Sequence, residues 1–177
     1  MDRFVAKHDT EKLNNIVDKI INDTLKDETS IIVLYGDGAN GKSTLMDIMY
    51  NIAPSTGRIS PNLFLKKHTS NNDLHHVEQI NKSIIFVGEQ ETKKCNETIE
   101  SIQAFIRKMS NCFVRPIMSR EDILLKPGVF VFAMNTKPVF KVEKYRRNIT
   151  VFELPHHFKC DIPSKEIVEN VINELGC

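Results

Sequence analysis

Ile31-Ile32-Val33-Leu34-Tyr35-Gly36-Asp37-Gly38-Ala39-Asn40-Gly41-Lys42-Ser43 is the stretch that decides the fold. Its first five residues are a short apolar run, largely β-branched and bounded by polar residues, which reads as a buried strand. The following eight satisfy G-x-x-x-x-G-K-[ST]. A helix is expected from about Lys42 to Ile52, stopped by Pro54. Strand, glycine-rich loop and helix in this order make a phosphate-binding loop. The glycines let backbone N–H groups close around phosphate oxygens with no Cβ in the way, and the helix start adds the positive end of its dipole. Lys42 is placed to reach the β- and γ-phosphates, and Ser43 to give its hydroxyl oxygen to Mg2+. Such a loop implies a nucleoside triphosphate ligand, and leaves a motor, a kinase and a GTPase all open.

Working outward, three more strands are expected at Ser83 to Val87, Val129 to Met134 and Asn148 to Leu154. Residues 11 to 26 carry Leu13, Ile16, Val17, Ile20, Ile21 and Leu25 at helical spacing. Ile99, Ile102, Ile106 and Met109 form a second stripe. Ser164 is placed to cap a last helix bearing Ile167, Val168, Val171, Ile172 and Leu175. Phe113-Val114-Arg115-Pro116 and Asp122-Ile123-Leu124-Leu125 read as a β-hairpin with a basic tip. Thr56 to Asn72 is polar with little periodicity and reads mostly as loop. Buried strands alternating with helices imply an α/β fold with a mainly parallel central sheet flanked by helices. The expected organisation is an N-terminal helical segment at 1–29, a core at 30–155 and a C-terminal helical segment at 156–177.

The chain has 177 residues, 41% hydrophobic and 27% charged, which fits one folded domain and excludes a wholly disordered one. No apolar run approaches the roughly 18 residues needed to cross a bilayer, and Met1-Asp2-Arg3 opens no apolar signal region, so no membrane partner is expected. Cys95, Cys112, Cys160 and Cys177 form no C-x-x-C pair and read as free thiols of a reducing compartment. His156, His157 and Cys160 lack the second spaced pair that a zinc site usually needs. Lysines and arginines number 24 against 23 acids, so any nucleic-acid contact must come from a local cluster.

Two further strand ends carry chemistry. Ile84-Ile85-Phe86-Val87 ends in Gly88-Glu89-Gln90-Glu91. An acid at that place in a P-loop ATPase holds Mg2+, and a neighbouring one polarises the attacking water. Glu89 is the first candidate and Glu91 the second. Val129 to Met134 ends in Asn135, an amide suited to hold the attacking water or the γ-phosphate.

Strand-loop-Lys, strand-Glu and strand-Asn in this order resemble the superfamily 3 helicases of DNA viruses and plasmids, and within them the branch typified by the poxvirus primase-helicase. The resemblance runs over roughly residues 30 to 155. It rests on Gly36 to Thr44, on Ile84 to Glu91, on the Ile99 to Met109 helix, on Phe113-Val114-Arg115, on Val131 to Pro138 and on Arg146-Arg147. It implies an AAA+-like P-loop ATPase that assembles as a ring, usually a hexamer, around DNA, with ATP held between subunits. By position, Gly36, Asp37, Gly38, Ala39, Asn40, Gly41, Lys42, Ser43 and Thr44 become the ATP and Mg2+ loop. Glu89 becomes the acidic strand-end residue, Asn135 the sensor, and Arg146 or Arg147 a finger reaching a neighbour's γ-phosphate. The hairpin precedes the sensor strand and becomes the DNA-gripping element, with Arg115 and Arg120 as its contacts. Two departures stand out. Gly88 takes the place of the first of the family's paired acids, and the hairpin tip is Ser119-Arg120-Glu121 rather than a basic run. The family implies DNA unwinding in viral or plasmid replication, on single-stranded or forked DNA, with primase or polymerase partners. It also implies an intracellular location, in host cytoplasm or at a viral replication site. The alternatives are a P-loop kinase of a small acceptor and a non-catalytic ATP-binding scaffold. About thirty residues precede the first core strand, so a fragment or a reduced relative of a larger replication protein is expected.

Overall fold

The apolar run at the head of the phosphate loop forms the strand Ile31–Tyr35 (β1), four of whose five residues are buried. A computed structural model gives the structure, describing residues 10–26, 29–60, 77–88, 99–104, 113–115, 119–139, 148–155 and 164–175. In chain order the other elements are α1 (Thr10–Leu25), α2 (Lys42–Ile52), β2 (Thr56–Ile59), α3 (Val77–Ile80), β3 (Ile84–Val87), β4 (Phe113–Val114), β5 (Ile123–Leu124), β6 (Val129–Met134), β7 (Ile149–Glu153) and α4 (Ser164–Leu175). Five strands form one sheet in the order β2-β3-β6-β1-β7, and every neighbouring pair is parallel. The expected α/β architecture is therefore present.

Side chains alternate across a strand, so a strand apolar at every position must be covered on both faces. Ile32, Leu34, Ile84, Phe86, Val129, Val131 and Ala133 face one way. They pack with Leu13, Ile16 and Ile20 of α1 and Leu45, Met46 and Met49 of α2. Ile31, Val33, Ile85, Val87, Phe130, Phe132 and Met134 face the other way, against Ile80, Ile99, Ile102 and Leu125. Residues 99–104 are helical, as their stripe predicts; Ile106 and Met109 lie outside the described residues. Helix α4 lies against α2. Among the described residues no helix is long and apolar enough to cross a membrane.

One expectation needs correction. The stretch from Thr56, read as mostly loop, opens with β2, which pairs Thr56–Ile59 in register with Ile84–Val87. Thr-Gly-Arg-Ile lacks a strand pattern because this is an edge strand, with a single partner and a largely exposed charge at Arg58. Arg58 pairs with Asp47 and stacks its guanidinium 4.7 Å from the Tyr50 ring centre. Gly57 is needed because α3 lies directly on the strand: a Cβ there would meet the Gln79 carbonyl oxygen at 2.1 Å. The Gln79 side chain also accepts the Arg58 N–H at 3.2 Å, covering part of the open edge.

The hairpin is present as β4 and β5, antiparallel, with Phe113 opposite Leu124 and Val114 opposite Ile123. Its second strand leads within a few residues into the start of β6. Because all five sheet strands run parallel, their C-terminal ends share one edge. The phosphate loop, Gly88, Asn135 and Leu154 follow strands onto that edge. The hairpin attaches at the opposite one, where β7 also begins.

Candidate nucleotide-binding site

The loop between β1 and α2 holds three residues at positive φ: Gly38 at 95°, Ala39 at 44° and Gly41 at 78°. Gly41 stands at the N-cap of α2, and among the described residues the start of the helix is left without a side-chain cap, as suits an anion-binding helix start. The Leu45 N–H closes the first turn onto the Gly41 carbonyl at 2.8 Å. Gly36 answers to a close approach. A Cβ there would lie 1.8 Å from Asn40 Nδ2 and 2.3 Å from the Leu154 carbonyl oxygen.

The loop is also held by its own side chains. Asn40 is 1% exposed and Lys42 4%. Lys42 Nζ donates to the Gly36 carbonyl at 2.8 Å and to Asn40 Oδ1 at 2.6 Å. Asn40 Nδ2 donates to the Leu154 carbonyl at 2.8 Å, and the Leu154 N–H donates to the Tyr35 carbonyl at 2.8 Å. Thr44 is buried, while Ser43 stays exposed beside the helix start.

Asn135 comes next to this loop through the sheet. Met134 pairs with Tyr35, and the Gly36 N–H donates to the Met134 carbonyl at 3.2 Å. The next residue is therefore Asn135 at the flank of the loop. Its Oδ1 is buried with no hydrogen-bond partner among the described residues. An orphaned acceptor beside a phosphate loop fits an ordered water or a ligand donor. Val87 ends β3, two strands from β1, or about 10 Å at sheet spacing. Glu89 and Glu91, which follow it in sequence, lie outside the described residues, as do Arg146, Arg147, His156, His157 and Cys160. Among the described residues no group of three His, Cys, Asp or Glu is gathered for a metal ion.

The two hairpin arginines differ. Arg115 Nε donates to Asp122 Oδ1 at 2.7 Å across the hairpin, and this hydrogen bond and the charge of Asp122 hold its guanidinium above the ordinary value. Arg120 is exposed in the turn beside Ser119, whose hydroxyl bonds Glu121 through its N–H and carbonyl, each at 3.1 Å. Sequence reasoning missed the Leu154 carbonyl as an anchor of the loop, because a backbone acceptor leaves no mark in the sequence. It also missed the pair Tyr35 and Glu153, in register at the same edge. Burial, and then the hydrogen bond to Glu153, push the Tyr35 phenol up.

No protein-family model matches the chain, and no curated protein matches it in sequence. Solved structures do share the fold. The apo structure of the NrS-1 C-terminal region superposes with a TM-score of 0.52 at 16% identity, over 82% of this chain and 34% of that one. Inhibitor-bound JCV helicase gives a TM-score of 0.56 at 12% identity, over 91% of this chain and 46% of that one. JCV helicase bound to a thiazolopyridinyl-phenoxyphenyl acetamide gives 0.56 at 15% identity. The chain thus spans about a third of the first and under half of the others. Sheet, loop and neighbours together define a P-loop NTPase fold of the kind seen in helicase structures.

Proposed function

We propose that the chain is the ATPase core of a DNA helicase or translocase of the superfamily 3 type, in the poxvirus primase-helicase branch, acting in replication of viral or plasmid DNA. The observation that carries this reading is the pairing of a phosphate loop with an orphaned strand-end amide, Asn135, on the edge where parallel strands end. An acceptor there suits a water poised to attack the γ-phosphate, as hydrolysis requires. The likeness in fold to JCV helicase supports the choice of a helicase over a kinase.

On this reading the N–H groups at the start of α2 and the Lys42 ammonium bind the β- and γ-phosphates of ATP, and the exposed Ser43 hydroxyl and Glu89 would hold Mg2+. Bound there, Mg2+ supplies charge neutralisation between the phosphate oxygens. Asn135 orients the attacking water, Glu89 or Glu91 accepts its proton, and Arg146 or Arg147 of a neighbouring subunit meets the charge on the transferring phosphoryl group. The hairpin, with Arg120 at its exposed turn, meets the DNA phosphates. Repetition around a homo-oligomeric ring, such as a hexamer, multiplies that weak contact. Primase or polymerase partners belong to the same reading, as does an intracellular site of action.

The test is ATP hydrolysis with and without single-stranded and forked DNA. Hydrolysis stimulated by DNA and abolished in Lys42→Ala is expected. Turnover that requires a small acceptor and ignores DNA would make the chain a kinase, and ATP binding without turnover a scaffold.

A further inference from the structure

We propose that Asn40 is a positioning residue that couples nucleotide occupancy of the loop to the C-terminal end of β7. The proposal rests on the reading of the loop as a nucleotide site. One buried amide spans two parts of the molecule. Its oxygen takes the Lys42 ammonium at 2.6 Å, and its nitrogen donates to the Leu154 carbonyl at 2.8 Å. The second bond passes directly over Gly36, which is why a Cβ at that glycine would strike both of its ends. Leu154 is the first residue beyond β7, and its own N–H extends the strand ladder onto Tyr35.

The two bonds of the amide reinforce each other. A cation on the oxygen draws electron density from the nitrogen and makes its N–H a stronger donor. Phosphate oxygens arriving at the start of α2 compete with Asn40 Oδ1 for the ammonium, and they carry more charge. As they draw Lys42 away, the Nδ2 bond to Leu154 weakens and the end of β7 loosens. The bonded arrangement of Lys42, Asn40 and Leu154 is thus a stored state, and leaving it costs part of the binding free energy of the nucleotide. The signal reaches Leu154 and Pro155, the last described residues before α4, the helix that lies against α2.

Hydrogen exchange and calorimetry on the full chain test this, with and without Mg-ADP. In the wild type, Mg-ADP should speed exchange of the segment 152–155 about threefold. In Asn40→Ala that segment should already exchange fast and ignore nucleotide. ADP should bind that variant about threefold more tightly, because Lys42 has one acceptor fewer to leave. A merely structural Asn40 predicts the reverse, weaker ADP binding with the nucleotide response intact, and that result overturns the proposal. Should circular dichroism show Asn40→Ala unfolded, Asn40→Asp decides, since it keeps the acceptor and discards the donor. ADP should then bind about tenfold more weakly, with 152–155 fast in both states; undiminished ADP binding overturns the proposal. A wild type that binds no ADP removes the nucleotide reading itself. A wild type that binds ADP with 152–155 unchanged removes the coupling alone.

Discussion

Asn135 Oδ1 is buried beside the phosphate loop without a partner among the described residues, a state that costs about 1–3 kcal/mol. A fold keeps such a cost where the atom serves a ligand. Asn135→Ala should therefore raise stability toward urea by about 1 kcal/mol. On the proposed mechanism the same variant should lose about a hundredfold in kcat, with ATP affinity little changed, as when one positioned polar group is removed from a transition state. A variant that is less stable and equally active would show that the amide serves the fold instead. Asp23 is the opposite kind of buried polar residue, fully satisfied. Lys19 Nζ and the Ser30 hydroxyl each donate to its carboxylate at 2.6 Å. Burial alone would push its carboxyl up, but these hydrogen bonds and the Lys19 and Lys26 charges outweigh it, leaving the group below its ordinary 3.8. A carboxyl depressed on folding stabilises the protein above its unfolded pKa, and that contribution fades as pH falls through the folded pKa. Asp23→Asn should cost about 2 kcal/mol at neutral pH. The gap between the two proteins should narrow below about pH 4, read from urea melts at both values.

At the scale of elements, β2 shows how a strand can hide from its own sequence. Its place comes from β3 on one side and α3 above it, both distant in sequence, and its one inward-facing large side chain is Ile59. Gly57→Ala forces a Cβ against backbone rather than against a movable side chain. It should destabilise the chain by about 1–3 kcal/mol, measured by thermal melting, and speed amide exchange in 56–59 before the rest of the sheet. The central strands were legible for the opposite reason. β1, β3 and β6 are buried on both faces, so they had to be continuous apolar runs, and α2 had its start written in the glycine loop and its stop in Pro54. The candidate site was legible in part by the same logic. Asn135 stands directly after a run whose strand character is plain, and Lys42 closes the glycine loop that follows another. The use of Asn40 was not legible, because its partner is a carbonyl 114 residues away that any residue at Leu154 would supply. The pairing of Arg115 with Asp122 was hidden too, since it depends on the register of the two hairpin strands.

At the scale of the whole molecule, parallel strands separate the two ends of the proposed mechanism. The phosphate loop follows the C-terminal end of β1, while Arg146 and Arg147 precede the N-terminal end of β7, its neighbour in register. Five residues of strand, about 16 Å, lie between those edges. On the proposed mechanism these arginines serve the phosphates of a head-to-tail neighbour in a ring. This argues for a mixing experiment. Lys42→Ala chains keep the arginines but have a dead loop; Arg147→Ala chains keep the loop but lack one arginine. Lys42→Ala alone should be inactive, and so should the variant that removes whichever arginine serves. Mixed in equal amounts and allowed to exchange, they should regain hydrolysis at the interfaces that join an intact loop to an intact arginine. Random assembly makes that about a quarter of the interfaces, and so about a quarter of wild-type activity if each interface works alone. Arg146→Ala in place of Arg147→Ala identifies which of the two arginines serves. Mixtures that stay as inactive as their parents, with both arginine variants and with mixed assemblies confirmed by native mass, would put the arginine in its own subunit's site and remove the reason for a ring.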